Sequence, residues 1–169
     1  PKDGKALAEL TKKIASLSSP KASSSKPSAM LKRISGKKIE VAKNEIGIQA
    51  LKIALKDADV QILIDRGNEK YDIIAGLGNW KFSQTRLNTL AGNPRPMQVL
   101  PIQVASKYSL TDTATLELTF RFVEESIRSE VWILRFEDSG KETKVHIEVK
   151  NYVEFMGVNS RLLEGKIAN

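Results

Sequence analysis

Serine three residues ahead of lysine is a spacing in which the amine can activate the hydroxyl for acyl transfer, and it occurs at Ser18/Lys21, Ser23/Lys26 and Ser35/Lys38. The first two pairs fall in the run Ser18-Ser19-Pro20-Lys21-Ala22-Ser23-Ser24-Ser25-Lys26-Pro27, where serine and lysine are so frequent that the spacing arises by chance. The third stands at an expected strand entry, whereas a reactive serine of this type needs the start of a buried helix. No Ser-Asp-Asn or Tyr-x-Asn triplet and no Lys-Thr-Gly strand accompanies them. No catalytic residue is assigned.

The single histidine, His146, lies between Val145 and Ile147, so on a strand it points away from that apolar pair and reads as a solvated residue rather than a base. With one histidine and no cysteine, a zinc or copper site would have to be built almost wholly from carboxylates, which suits neither ion; no metal is expected. Asp57 and Asp59 lack the run of oxygen ligands of a calcium loop, and Gly76-Leu77-Gly78 lacks the following helix of a phosphate cradle. Both read as turn chemistry, and no cofactor is implied.

Aromatic side chains remain. Tyr71, Trp80, Phe82, Tyr108, Phe120, Phe122, Trp132 and Phe136 all fall on or beside expected strands, where packing in a core is their ordinary use. The functional alternative is a barrel interior or sheet face in which Trp80 and Trp132 line a site for a small apolar ligand.

The elements that must position these residues follow from periodicity. Leu7, Leu10, Ile14 and Leu17 recur at helical spacing, with Asp3 available as a cap, and the Pro/Ser-rich run after them reads as a linker. From about residue 38 the period becomes two. Strands are expected over Leu51–Lys56, Val60–Ile64, Tyr71–Ala75, Trp80–Phe82, Ile102–Tyr108, Thr115–Val123, Ser129–Phe136 and Val145–Val149, with turns at Asp57-Ala58-Asp59, Gly67-Asn68 and Gly140. Leu90 to Pro101 holds three prolines and reads as a loop or edge. Short connections without long amphipathic helices exclude parallel crossover units. The expectation is a mainly β chain: an antiparallel barrel or sandwich of about eight strands, lipocalin-like, with an N-terminal helix. Residues 1–37 form an arm and residues 38–169 the β domain.

The net charge of +7 is unevenly spread: residues 1–43 carry 11 basic against 3 acidic side chains, and the remainder is close to neutral. That basic arm contains no Phe, Trp or Tyr for base stacking, which argues against nucleic-acid binding and leaves an acidic partner or membrane surface as its electrostatic use. No apolar run approaches the roughly 20 residues of a membrane-spanning helix. Beginning at Pro1 without a signal-like segment, the chain reads as a fragment or processed product.

Three stretches taken together resemble the C-terminal accessory domain that follows the catalytic domain in serine hydrolases of the β-lactamase and penicillin-binding family. They are the arm from Ala6–Leu10 to Ile39-Glu40-Val41, Asn44 and Gly47–Leu51; Gly76-Leu77-Gly78-Asn79-Trp80; and Val104–Tyr108 through Asp112, Thr115–Glu124 and Val131–Phe136. The resemblance implies an upstream serine hydrolase domain in the same parent chain, no activity in this part by itself, an accessory role in substrate access or assembly, and a periplasmic or secreted location. A lipocalin-like ligand module is the alternative, favoured by an open cavity beside Trp80 or Trp132 and disfavoured by a filled core.

Overall fold

The computed structural model describes Glu9 and residues 29–67, 69–85, 101–123, 128–153 and 157–168. Apart from Glu9, the expected amphipathic helix over residues 7–17, the Pro/Ser linker and most of the Leu90–Pro101 run lie outside these residues. From residue 29 the described residues form a short helix, α1 (Ala29–Ile34), followed by ten strands: β1 (Lys38–Val41), β2 (Ala50–Lys56), β3 (Asp59–Asp65), β4 (Lys70–Leu77), β5 (Lys81–Thr85), β6 (Ile102–Leu110), β7 (Thr115–Phe122), β8 (Arg128–Asp138), β9 (Glu142–Val153) and β10 (Gly157–Ala168).

Alternation builds the wall. In β7, Leu116, Leu118, Phe120 and Phe122 are buried while Glu117, Thr119 and Arg121 face outward. In β8 the inward set is Glu130, Trp132, Leu134 and Phe136, and in β9 it includes Thr143, Val145, Ile147 and Val149. Every consecutive pair from β6 to β10 is antiparallel, as are β2 with β3 and β3 with β4. β1 then joins the two halves, pairing β2 through Ile39↔Leu51 and β10 through Val41↔Gly165.

The sheet closes where β4 meets β6 in parallel, through Gly76↔Lys107 and Leu77↔Tyr108. The same edge of β6 carries β5 from Thr85↔Ile102 to Lys81↔Ser106, so β5 fills the part of the seam that β4 does not reach. Side chains stitch the junction: Ser106 Oγ donates to the Ile74 carbonyl (2.8 Å) and Ile74 N–H donates to Ser83 Oγ (3.0 Å). The product is a closed, mainly antiparallel β-barrel, its edges removed by closure.

One end is stoppered. Leu31 and Ile34 of α1 join the barrel core, and Met30 and Leu31 meet Leu110, Leu116 and Phe136 around a void of only about 10 Å³. Arg33 pairs with Asp138 on β8, and Ser35 Oγ accepts the Leu55 N–H (2.8 Å), fixing the helix to the ends of two strands. That contact also gives the Ser35/Lys38 spacing a structural use. Tyr108 completes this end by donating its hydroxyl to the Ala58 carbonyl (3.0 Å); burial and the nearby Asp59 charge raise its pKa above 10.0.

Candidate functional site

Inside the barrel, chemistry concentrates where Glu130, Asn151 and Arg161 stand on a wall otherwise made of apolar side chains and a few buried hydroxyls such as Ser106 and Thr143. Register places them: Phe120, Glu130 and Asn151 form one cross-strand row over β7, β8 and β9, and Leu118, Trp132, Val149 and Arg161 form the next row over β7 to β10. Residues directly opposite on paired strands share a face, so Arg161, opposite the buried Val149, points into the barrel. These rows lie towards the end away from α1.

Glu130 is 1% exposed. A carboxylate so placed requires donors, because its desolvation costs several kcal/mol unless hydrogen bonds or charges replace water. Trp132 supplies one, its indole N–H reaching Glu130 Oε2 at 3.2 Å. The same ring meets Phe120 edge to face, with centroids 5.9 Å apart and planes at 72°, an arrangement that adds about 0.5–1.5 kcal/mol to simple area burial. Acceptor, amide and guanidinium thus share a wall whose other inward residues are apolar, aromatic or hydroxyl-bearing, an arrangement able to orient the polar end of an apolar molecule.

The waist next to this cluster is packed. Trp132, Phe120, Leu134, Ile73 and Val145 all have 0% exposure, which leaves no water-sized space against them. Volume for a ligand must therefore lie beyond Trp132, towards the end away from α1, or be made by moving it.

The two tryptophans singled out from sequence are on opposite sides of the wall. Trp132 is in the barrel with Glu130; Trp80, in the β4–β5 connection, lies outside, its ring contacted by Lys107 Nζ at 4.9 Å and Arg121 Cζ at 5.5 Å from the centroid. Sequence reading did not single out Glu130, Asn151 or Arg161. For Glu130 the signal was present, since it is in phase with Trp132, Leu134 and Phe136.

His146 faces outward as its flanking apolar pair requires. Its Nδ1 lies 2.9 Å from Glu164 Oε2 on β10 and its Nε2 3.4 Å from Glu137 Oε2 on β8. The hydrogen bond to Glu164, followed by that to Glu137 and the charges of both, raises its pKa above 6.5 despite some desolvation. It borders an open groove of about 450 Å³ with Glu40, Lys144, Glu164 and Lys166, a surface of alternating charge. Among the described residues no cluster of three or more His, Asp or Glu side chains could hold a metal ion.

Comparison with known proteins gives no family. No family model matches the sequence, and no curated protein matches it. Among solved structures, a fatty acid-binding protein from brain tissue of Drosophila melanogaster, determined without citrate inside, aligns with 80% of this chain and 99% of its own at 13% identity, with a TM-score of 0.46. The expected relation to the C-terminal accessory domain of β-lactamase-like serine hydrolases is therefore corrected: nothing found points to such a domain, and with it go the upstream hydrolase partner and the accessory role. The physical reason lies in the residues that carried the likeness. A glycine turn into Trp80 and the alternation of Thr115–Val123 and Val131–Phe136 are what any antiparallel meander requires, so they specify strands and not ancestry. Among the described residues no helix is long and apolar enough to cross a membrane.

Proposed function

We propose that this chain is a small-ligand-binding barrel that takes an amphipathic molecule by its polar end at Glu130, Asn151 and Arg161, with the apolar part beyond the packed ring of Trp132, towards the end away from α1. The observation that carries this reading is the buried Glu130 carboxylate, held by the indole of Trp132 in a wall whose other buried inward residues are apolar, aromatic or hydroxyl-bearing. A barrel built only for stability is served better by hydrocarbon at that position, because replacing a buried charge cluster with packed apolar side chains is often neutral or stabilising. Stoppering by α1 at the opposite end favours entry at the polar end. A guanidinium offers five donors in a fixed fork and a carboxylate only acceptors, so the cluster selects for a head group carrying both an acceptor and a donor.

The test is a titration with amphiphiles of one chain length and differing heads (anionic, cationic, zwitterionic and neutral amide), read by calorimetry and by Trp132 fluorescence in a Trp80→Phe background. Saturable binding that prefers one head, weakened about tenfold or more by Glu130→Gln or Arg161→Gln, is expected. Absence of binding to all four, or binding indifferent to both substitutions in proteins that melt cooperatively, would sink the proposal.

A further inference from the structure

The outer face of the seam carries exposed apolar side chains, as does the outer face of β9 and β10 at Tyr152, Val158 and Leu162. Phe82 on β5 is 65% exposed, Ile74 on β4 44% and Val123 after β7 47%. They are neighbours: Phe82 is in register with Ala105, which is in register with the outward Arg121; Ile74 is bonded to Ser83; and Val123 N–H reaches the Gln103 carbonyl at 2.9 Å. Trp80 stands among them with Lys107 and Arg121 against its ring.

What marks this patch is the pairing of its cations with a ring: Arg135 and Lys150 pair with Glu148, Lys38 with Glu40 and Lys81 with Asp59, whereas Lys107 and Arg121 lie against Trp80. Among the described residues neither Lys107 nor Arg121 has an ion pair with a carboxylate within 4.0 Å; each lies against the Trp80 ring. Three exposed apolar side chains beside two uncompensated cations and an amphipathic indole combine the two terms that hold a protein at an anionic bilayer: burial of apolar groups at the headgroup boundary and attraction to the negative leaflet.

We infer that the outer face formed by Trp80, Phe82, Ile74, Val123, Lys107 and Arg121 docks on an anionic phospholipid surface. The cation–π contacts hold the two cations and the ring together, so the indole and both charges reach the headgroups as one unit. Docking here leaves the interior cluster at Glu130 untouched, because Trp80 and Trp132 are separated by the wall.

Flotation of the full chain with vesicles of phosphatidylcholine, alone or mixed with phosphatidylserine, tests it. Binding is expected only to the mixed vesicles, with a blue shift of fluorescence that Trp80→Phe abolishes and Trp132→Phe does not. Lys107→Gln with Arg121→Gln should weaken partition about tenfold or more, and Phe82→Ser should weaken it at unchanged charge. Phe82 and Arg121 are exposed, so these variants leave the core alone, and equal melting temperatures confirm it. Undiminished binding by the double variant would assign the contact to the basic segment 1–43 and overturn the inference. Equal affinity for neutral vesicles, or tighter binding to single-stranded RNA than to the anionic vesicles, would overturn it as well.

Discussion

At the scale of single residues, the outward face of β8, β9 and β10 is set up to respond to pH. His146 is opposite Glu164 and Arg135 in register, and its two ring nitrogens meet Glu164 and Glu137. Because these contacts raise the folded-state pKa above 6.5, the folded protein holds a proton that the unfolded chain has begun to release. The contribution is therefore complete below the unfolded value and is lost as pH rises through the folded one. Partial desolvation of the ring works against the two carboxylates, while Arg135, in register on β8, is drawn to Glu148. Urea unfolding of wild type and His146→Gln between about pH 5 and about pH 9 should show the wild type ahead at the acid end and the two curves converging above the folded pKa. A difference that widens with rising pH would mean that the imidazole is stabilising as a neutral donor instead.

At the scale of elements, the strands that sequence made legible are those whose inward set is apolar, such as Leu51, Ile53 and the buried residues of β7. One strand, β10, escaped entirely; β1, only four residues long, was legible as a strand entry and a change of period near residue 38. β10 has no clean alternation: Arg161 and Gly165 are on the inward face with Leu163 and Ile167, while Leu162 stands outward at 77% exposure. The polar cluster was hidden for the same reason, since only the β8–β9–β10 register brings Arg161 near Glu130. The turn from β4 to β5 was foreseen from Gly76 and Gly78, and the structure explains the first of them by space. A Cβ on Gly76 would lie 1.9 Å from Asn79 Oδ1 and 2.6 Å from the Asn79 carbonyl oxygen. The side chain can turn away, but the carbonyl cannot without reshaping the connection. Gly76→Ala should thus cost about 1–3 kcal/mol by thermal or urea unfolding, and adding Asn79→Ala should recover only part of it. Full recovery would place the whole conflict in the Asn79 side chain.

At the scale of the molecule, the barrel is held unevenly around its circumference. β9 and β10 pair over twelve positions, from Gly157↔Val153 to Ala168↔Glu142, and β8 and β9 over eleven. β4 and β6 pair over two, supported by the Gly78 N–H bond to the Tyr108 carbonyl (2.8 Å) and the Ser106 and Ser83 side chains. Closure by so short a parallel contact makes that seam, with the equally short β1–β10 pairing, a place where the barrel opens at low cost, because opening there breaks few backbone bonds while the long hairpins stay intact. It also joins the patch around Trp80 to the interior, since Lys107 and Tyr108 are adjacent in β6 and face opposite sides of the wall. Native-state hydrogen exchange should show amides of residues 76–78 and 107–108 exchanging through a sub-global opening well below the free energy that protects Ile147 and Val149. Anionic vesicles that bind the outer face should slow the seam selectively if docking bridges β5 and β7 across it. Exchange of seam and β9 amides at one common free energy would instead mean that the stitching by Ser106 and Ser83 makes the ring open only as a whole.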